Sequence, residues 1–501
     1  MKRLALLPAT ALAVTLLLAG CSTLPPAPPP DTAAIPAAWR SPLPHGGSAA
    51  ELARWWQAFD DPALARLVER AQAASPTLAQ AAARRRQAEA GAAQARAGLM
   101  PQIGAQGQAQ RGNSLNGLPG ASSLLSAKLS ASWEVDLFSG QRAGADAAAA
   151  LAGAATADWH AARVSLAADV AQAYVQLRLA QAREEAAELD TRFAEQIAGW
   201  GRQQQAAGLI SASDAALLNT SRAVAAAGRS QSRAEAQIAL QTLALLCGST
   251  ADSLTAELAP PPVASEGLAL RRSQPHAPAF DVNALPAGLL AQRPDVAAAH
   301  QRWLAALLQK RQADAQRWPQ LNLSALAGGD LLRVGGRSQN TRPWSLGPTL
   351  TLPLFDGGAL LASAEGAQAA ADAAGAALQA QWQAAVAEVE EALQRVAAGA
   401  EREREVDAVR REWEGIARRT GAQALAGLQS GTQRNTTFRN ALAAYDAVLG
   451  VRAEQALAWI RLYRTLGGGW QTTAQPTATP TPTPTAAPAD PTTPTPPLAS
   501  R

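Results

Sequence analysis

The chain has 501 residues, with 44 Lys and Arg against 40 Asp and Glu, a formal charge of +4 and aromatics at only 4%. Charges so balanced and interspersed, with no basic patch carrying interleaved aromatics, argue against nucleic acid as a partner. Alanine dominates and large side chains are scarce, so any core is thin. That suits close-packed long helices better than a thick globule.

The N-terminus opens with Lys2 and Arg3, then an apolar run, Leu4 to Leu18, too short to span a bilayer comfortably. It ends in Leu18-Ala19-Gly20-Cys21, a secretory signal whose cleavage site abuts a cysteine, the pattern of a bacterial lipoprotein. Cleavage would leave Cys21 as a lipidated N-terminus; a plain signal followed by a chance cysteine is the alternative. Ser22 rather than Asp follows, which by similarity to lipoprotein sorting signals favours the outer membrane. With Cys21 acylated, Cys247 has no partner for an internal disulfide, and its apolar surroundings predict a buried, inert thiol. Thr23 to Pro44 is rich in Pro and Ala and reads as an extended tether.

A helical segment opens after Trp55-Trp56 and Asp60-Asp61-Pro62, runs to about Leu99 and is ended by Pro101. Gln102 to Arg111 alternates weakly and is a strand candidate; Gly112 to Ser123 reads as loop, with Asn116-Gly117 and Pro119-Gly120 as turn signals. Ser126 to Phe138 alternates cleanly. Leu129, Ala131, Trp133, Val135 and Leu137 fall on one side; Lys128, Ser130, Ser132, Glu134 and Asp136 fall on the other. From Gly140 a proline-free helical stretch runs to Ala207, followed by Gly208-Leu209 and a second helix from Ser213 to Leu246. A rod of that length, roughly 100 Å, exceeds what a compact domain needs.

The pattern then repeats. Pro76, Pro101, Phe138, Gly208 and Gly248 recur as Pro294, Pro319, Phe355, Gly427 and Gly467, each displaced by 217 to 219 residues. A spacing this steady predicts an internal tandem duplication. The second copy supplies strands from Gln320 to about Ala327 and from Trp344 to Phe355, then a long helix from about Ala359 to Ala426. Within that helix Val386, Val389, Leu393 and Val396 have coiled-coil seam spacing. The expected divisions are a signal peptide (1–20), a lipid-anchored tether (21–54), a first repeat (55–259), a Pro-rich connector (260–285), a second repeat (286–470) and a disordered Thr/Pro tail (471–501).

Four amphipathic strands per chain cannot close a membrane barrel, whose smallest members have about eight, and an open sheet facing lipid is not allowed. The chain is therefore expected to oligomerise, a dimer giving eight strands and a trimer twelve. Lys128, Glu134 and Asp136 would then line a wet lumen. A soluble sandwich burying the same alternation is the alternative.

Three motifs carry a family resemblance: Trp55-Trp56-Gln57-Ala58-Phe59-Asp60-Asp61-Pro62, Gln292-Arg293-Pro294-Asp295, and Leu462-Tyr463-Arg464-Thr465-Leu466-Gly467-Gly468-Gly469-Trp470. With the duplicated architecture, they make the chain similar to outer membrane lipoproteins of tripartite drug efflux systems, the TolC-like family. The resemblance implies a fold that mixes a membrane β-barrel with a long α-helical coiled-coil barrel: a homotrimer with a twelve-stranded barrel in outer membrane lipid, continued by a periplasmic tunnel. It implies a passive duct for drugs or other small toxic compounds, with a periplasmic adaptor and an inner-membrane proton-driven pump as partners. It also implies that the tunnel closes at a tip where Gly427-Leu428 makes a turn, with Gly208-Leu209 beside it; these two turns are the expected adaptor contact. Relatives often carry an acid nine positions after the glycine and an arginine three further on. Here those positions are Thr436 and Arg439, and Thr432 replaces a common apolar constriction residue. Arg439 thus reads either as a gate residue without its acid or as a solvated surface charge. A protein-secretion duct of the same fold and a pore-free coiled-coil scaffold are the competing functions.

No enzyme is expected. His45, His160, His276 and His300 show no metal-ligand spacing, and no phosphate-binding or nucleophile motif is present. Glu388, Glu390 and Glu391 read as a solvated helix face. No cofactor or metal is implied.

Overall fold

A computed structural model describes residues 55–115, 118–258, 293–334 and 336–468. Cys21, the tether, the Pro-rich connector, Trp470 and the Thr/Pro tail lie outside the described residues. A 3-10 turn, Trp55–Phe59, leads into α1 (Pro62–Ala74) and α2 (Pro76–Ala97). Both helices start on a proline, where the missing N–H costs nothing. Asp61 accepts from the amides of Ala63 and Leu64, and Ser75 accepts from Leu78. Strands β1 (Gln102–Leu115) and β2 (Leu118–Val135) follow, then α3 (Gly140–Ala206), α4 (Ala212–Leu246) and the short α5 (Ala251–Glu257). The same order then recurs: α6 (Pro294–Ala315), β3 (Gln320–Val334), β4 (Arg337–Thr341), β5 (Trp344–Thr351), α7 (Ala359–Leu425) and α8 (Gly431–Thr465). α3 and α7 each have 67 residues, and α4 and α8 each have 35.

The sheet is antiparallel throughout, in the order β1-β2-β3, with β4 and β5 both on the free side of β3. Three expectations need correction. The loop expected over Gly112 to Ser123 is mostly strand, because Arg111 pairs with Ser123 and Gly112 with Ser122 as the hairpin runs on to Leu115 and Leu118. The strand expected to reach Phe138 stops at Val135, since Asp136 turns to cap the next helix. The second copy's strands differ at their ends: the first runs to Val334 rather than about Ala327, and the last begins at Trp344 as expected but ends at Thr351 rather than Phe355, with the short β4 before it. Pro343 and Pro353 lack the N–H a ladder needs, and the Pro343 carbonyl instead accepts from Gly328 at 3.0 Å. Gly328 is required there: a Cβ would stand 2.6 Å from the Ala127 carbonyl oxygen.

On the half of the sheet nearer the helices, one face is uniformly apolar. Leu125, Leu129, Trp133 and Ile103 share one face with Leu323, Leu346 and Leu350, and Leu129 is 54% and Leu346 77% exposed. The core lies instead where the helices meet: Trp55, Leu64, Leu67, Tyr174, Leu177, Leu243, Leu393, Ile460 and Tyr463 are all under 3% exposed. Val389, Leu393 and Val396 of the expected seam are buried in it. Cys247 is buried too, its thiol pushed up to about 11 by burial. Near the sheet, alanines and glycines let α3 lie close on α6; a Cβ on Gly140 would sit 2.8 Å from that of Ala315. Among the described residues no helix is long and apolar enough to cross a membrane.

Candidate transport pathway and its two ends

The polar face of the sheet is built from even positions of β2. Gln106, Lys128 and Gly328 share a row, as do Ser126, Asp330 and Thr341. Lys128 reaches diagonally to Asp330 at 3.4 Å, a neighbouring pair on one face of a sheet. Glu134 lies on this face at the foot of the strand and accepts from the Gln141 side-chain amide at 3.0 Å.

Asp136 departs from the expected lumen set. It lies past the end of β2, and its two oxygens accept from the amides of Gln141 and Arg142 at 3.3 and 2.8 Å. It is therefore the cap of α3, a carboxylate on a helix N-terminus. Asp356 does the same for α7, accepting from Leu360 and Gly358 at 2.7 and 2.9 Å. Those amides hold its carboxyl below the usual range. Each long helix thus leaves the sheet through a carboxylate-capped corner.

The three sequence motifs meet midway along the helices. Trp55 stacks on Tyr463 at 4.8 Å. Tyr174 donates to Asp61 at 2.6 Å and accepts from Arg178 at 2.9 Å. Arg293, buried, donates to Asp295 at 2.7 Å, to Glu388 at 2.8 Å and to the Thr465 carbonyl at 3.0 Å. Burial alone would raise the Asp295 carboxyl; the hydrogen bonds and charge of Arg293, with the Val296 amide and Gln381, outweigh it and hold it low. Glu388 is thus the partner of a buried arginine, not part of a merely solvated face. The motifs fasten the start, middle and end of the helical body to one another.

At the far end, the two turns match closely. Gly208 and Gly427 adopt φ of +72° and +75°, and the amides of Leu209 and Leu428 reach back to the Gln204 and Gln423 carbonyls, both at 2.8 Å. This is the left-handed helix stop that glycine permits. Ser211 and Ser430 then cap α4 and α8. Leu209 and Leu428 are 73% and 75% exposed. Just above the turns, α3 and α8 are joined. Arg439 donates to Asp190 at 3.0 Å, Phe193 stacks on Phe438 at 4.0 Å, and Arg434 lies over both Phe193 and Trp200. Among the described residues Thr436 donates only to the Thr432 carbonyl of its own helix, at 3.1 Å.

The family described as outer membrane efflux protein matches residues 67–249 and 285–468. The chain belongs to that family. Among its relatives, the pyoverdine export outer membrane protein OpmQ of Pseudomonas putida is 31% identical over 495 residues, covering 94% of this chain and 98% of that one. The probable efflux pump outer membrane protein TtgC of Pseudomonas putida is 29% identical over 482 residues, covering 92% and 95%. The solved outer-membrane channel OprN superposes with a TM-score of 0.74 at 29% identity, covering 90% of this chain and 100% of that one.

This efflux protein is accordingly a channel component of the outer membrane, in a family of ducts rather than enzymes. Its acid at position 190 was hidden in the sequence. The family pattern directs attention nine positions past Gly427, on the same helix as Arg439; Asp190 lies 249 residues away on α3. Glu188-Leu189-Asp190 carries no local mark that distinguishes it. Arg439 is thus an ion-paired, partly enclosed side chain rather than a lone charge.

Proposed function

We propose that three copies of this chain close a twelve-stranded barrel in the outer membrane, continued by a tube of the long helices. The duct passes drugs or other small toxic compounds outward. The observation that carries this reading is the sheet: four strand positions, an apolar face left exposed, and free edges at β1 and at β4/β5. In lipid every backbone group must be paired, so these edges need partners. β1 runs antiparallel to β5, so copies joined edge to edge continue the antiparallel ladder. Among the described residues the chain's own ladder supplies no closure.

Two matched spans, two 67-residue helices and two 35-residue helices support descent from a duplicated half. The lumen is lined by the face that carries Lys128, Asp330 and Glu134. Cys21 carries the lipid anchor. The exposed Gly208-Leu209 and Gly427-Leu428 turns are where a periplasmic adaptor docks, linking the duct to an inner-membrane proton-driven pump. The Asp190–Arg439 pair and the Phe193–Phe438 stack hold the tip closed. Relatives named for pyoverdine export and for efflux pumps favour small organic cargo over protein.

Planar-bilayer conductance of the purified full-length protein, together with its mass in detergent, tests the reading. A trimer that conducts in discrete steps is expected. A monodisperse monomer, or an oligomer that never conducts at any voltage, would sink it.

A further inference from the structure

The apolar face of the sheet ends abruptly in a pair of arginines. From the helix end upward, its rows run from Val135 and Leu321 to Ala109, Leu125 and Leu331 without a charge. The next row is Arg111, Ser123 and Arg333. Both arginines are exposed. Among the described residues neither has an ion pair or side-chain hydrogen bond, and they are the only charged side chains on that face of the strands. They flank one strand, so their backbones stand roughly 9.5 Å apart.

The height of this row decides what it meets. Ten residues separate Val135 from Leu125, about 33 Å along the strand, and a tilt of about 40° reduces that to roughly 25 Å. That is the apolar height of an outer-membrane barrel. The arginine row stands one step beyond it, at the end of the sheet remote from the helices. Uncompensated cations at an interface recruit anions, and the guanidinium fork suits phosphate oxygens. The lumen is not the source of the anion, because the row lies on the opposite face from Lys128 and Asp330.

We propose that Arg111 and Arg333 form a binding site for the phosphate groups of a glycolipid headgroup in the outer leaflet. This rests on the barrel reading given above, with the helices on the periplasmic side. The site would fix the height of the barrel in the membrane from its outer rim.

Purified full-length protein would be incubated with bis-phosphorylated lipid A, with its dephosphorylated analogue, and with lipid A plus inorganic phosphate, and bound lipid counted by native mass spectrometry. Wild type should retain the phosphorylated lipid. The variant R111Q/R333Q should retain it about thirty-fold less well, and R111K/R333K, which keeps the charges without the forks, should fall between. Equal retention by wild type and R111Q/R333Q overturns the site. So does equal retention of the dephosphorylated analogue by wild type, while displacement by equimolar inorganic phosphate would make it a free-anion site. Conductance of both proteins separates the two readings: a wild type that never conducts removes the barrel reading, whereas a conducting R111Q/R333Q that keeps its lipid removes only this site.

Discussion

Arg439 on α8 and Asp190 on α3 stand 3.0 Å apart, joining the second repeat's short helix to the first repeat's long one just above the tip. Asp190 is the more enclosed of the two, 14% exposed against 35%. A charged hydrogen bond in such a site contributes about 2 kcal/mol. If it holds the tip shut, D190N and R439A should each raise the resting conductance, by up to about thirty-fold in open-to-closed ratio. The charge-swapped D190R/R439D should recover most of the closed state. Conductance of either single variant indistinguishable from wild type would show the pair to be structural only.

How much of this was legible in the sequence follows from the range of each interaction. Alternation at Lys128–Val135 is a local signal and the 217-to-219-residue spacing a periodic one; the strand and the pairs of long and short helices stand where they point, while the ends of the second copy's strands do not. The strand extension over Gly112–Ser123 was not legible, because glycine and serine there look like loop until a partner strand supplies the ladder. Asp136 continued the alternating pattern, yet capping α3 outweighs one more rung of strand. Asp190 and Glu388 were missed because their meaning lies in arginines far along the chain.

His160 gives a pH dependence. Burial, then the charges of Arg163 and Arg85, lower its imidazole to about 4 from an ordinary 6.5. The folded protein therefore resists a proton that the unfolded chain accepts. Stability is full above about pH 6.5 and falls as pH drops toward 4. Because the site is only half-buried, solvent screening brings the effect to about 1 kcal/mol. H160Q should flatten that part of the stability profile, read as thermal midpoints at pH 7 and pH 5. A variant whose midpoint drops as steeply as wild type over this interval would rule His160 out.

On α4, Leu217, Val224, Ile238 and Leu245 are 61%, 57%, 66% and 80% exposed. They recur at heptad spacing, with Gln231 at the vacant position. Among the described residues nothing covers this row, which has the spacing of one position of a coiled-coil heptad. In a trimer each of these side chains would bury against a neighbouring protomer, contributing about 1.5 to 3 kcal/mol. In the proposed trimer, L217K/I238K should therefore lower the mass toward that of a monomer in light scattering while leaving the helical circular dichroism intact. Unchanged trimer mass at micromolar protein would place the protomer contact elsewhere.

The register of β2 makes the sharpest test of the barrel. Leu129 pairs with Ala105 and Ala327, and Val135 with Leu321, all on the apolar face; Ser130 and Ser132 pair with Gly104 and Gln102 on the other. Successive side chains alternate faces, so a one-residue slip would exchange the sets. With native Cys247 buried and inert, single cysteines can report each face. L129C and V135C should react with a lipid-soluble maleimide and resist a charged, membrane-impermeant one. S130C and S132C should react with the charged reagent through the lumen, and large versions of it should be excluded by pore size while small ones enter. The opposite pattern would place the row Lys128–Glu134 in lipid, where a lysine near the midplane costs about 2 to 4 kcal/mol, and the duct with its present lining could not stand.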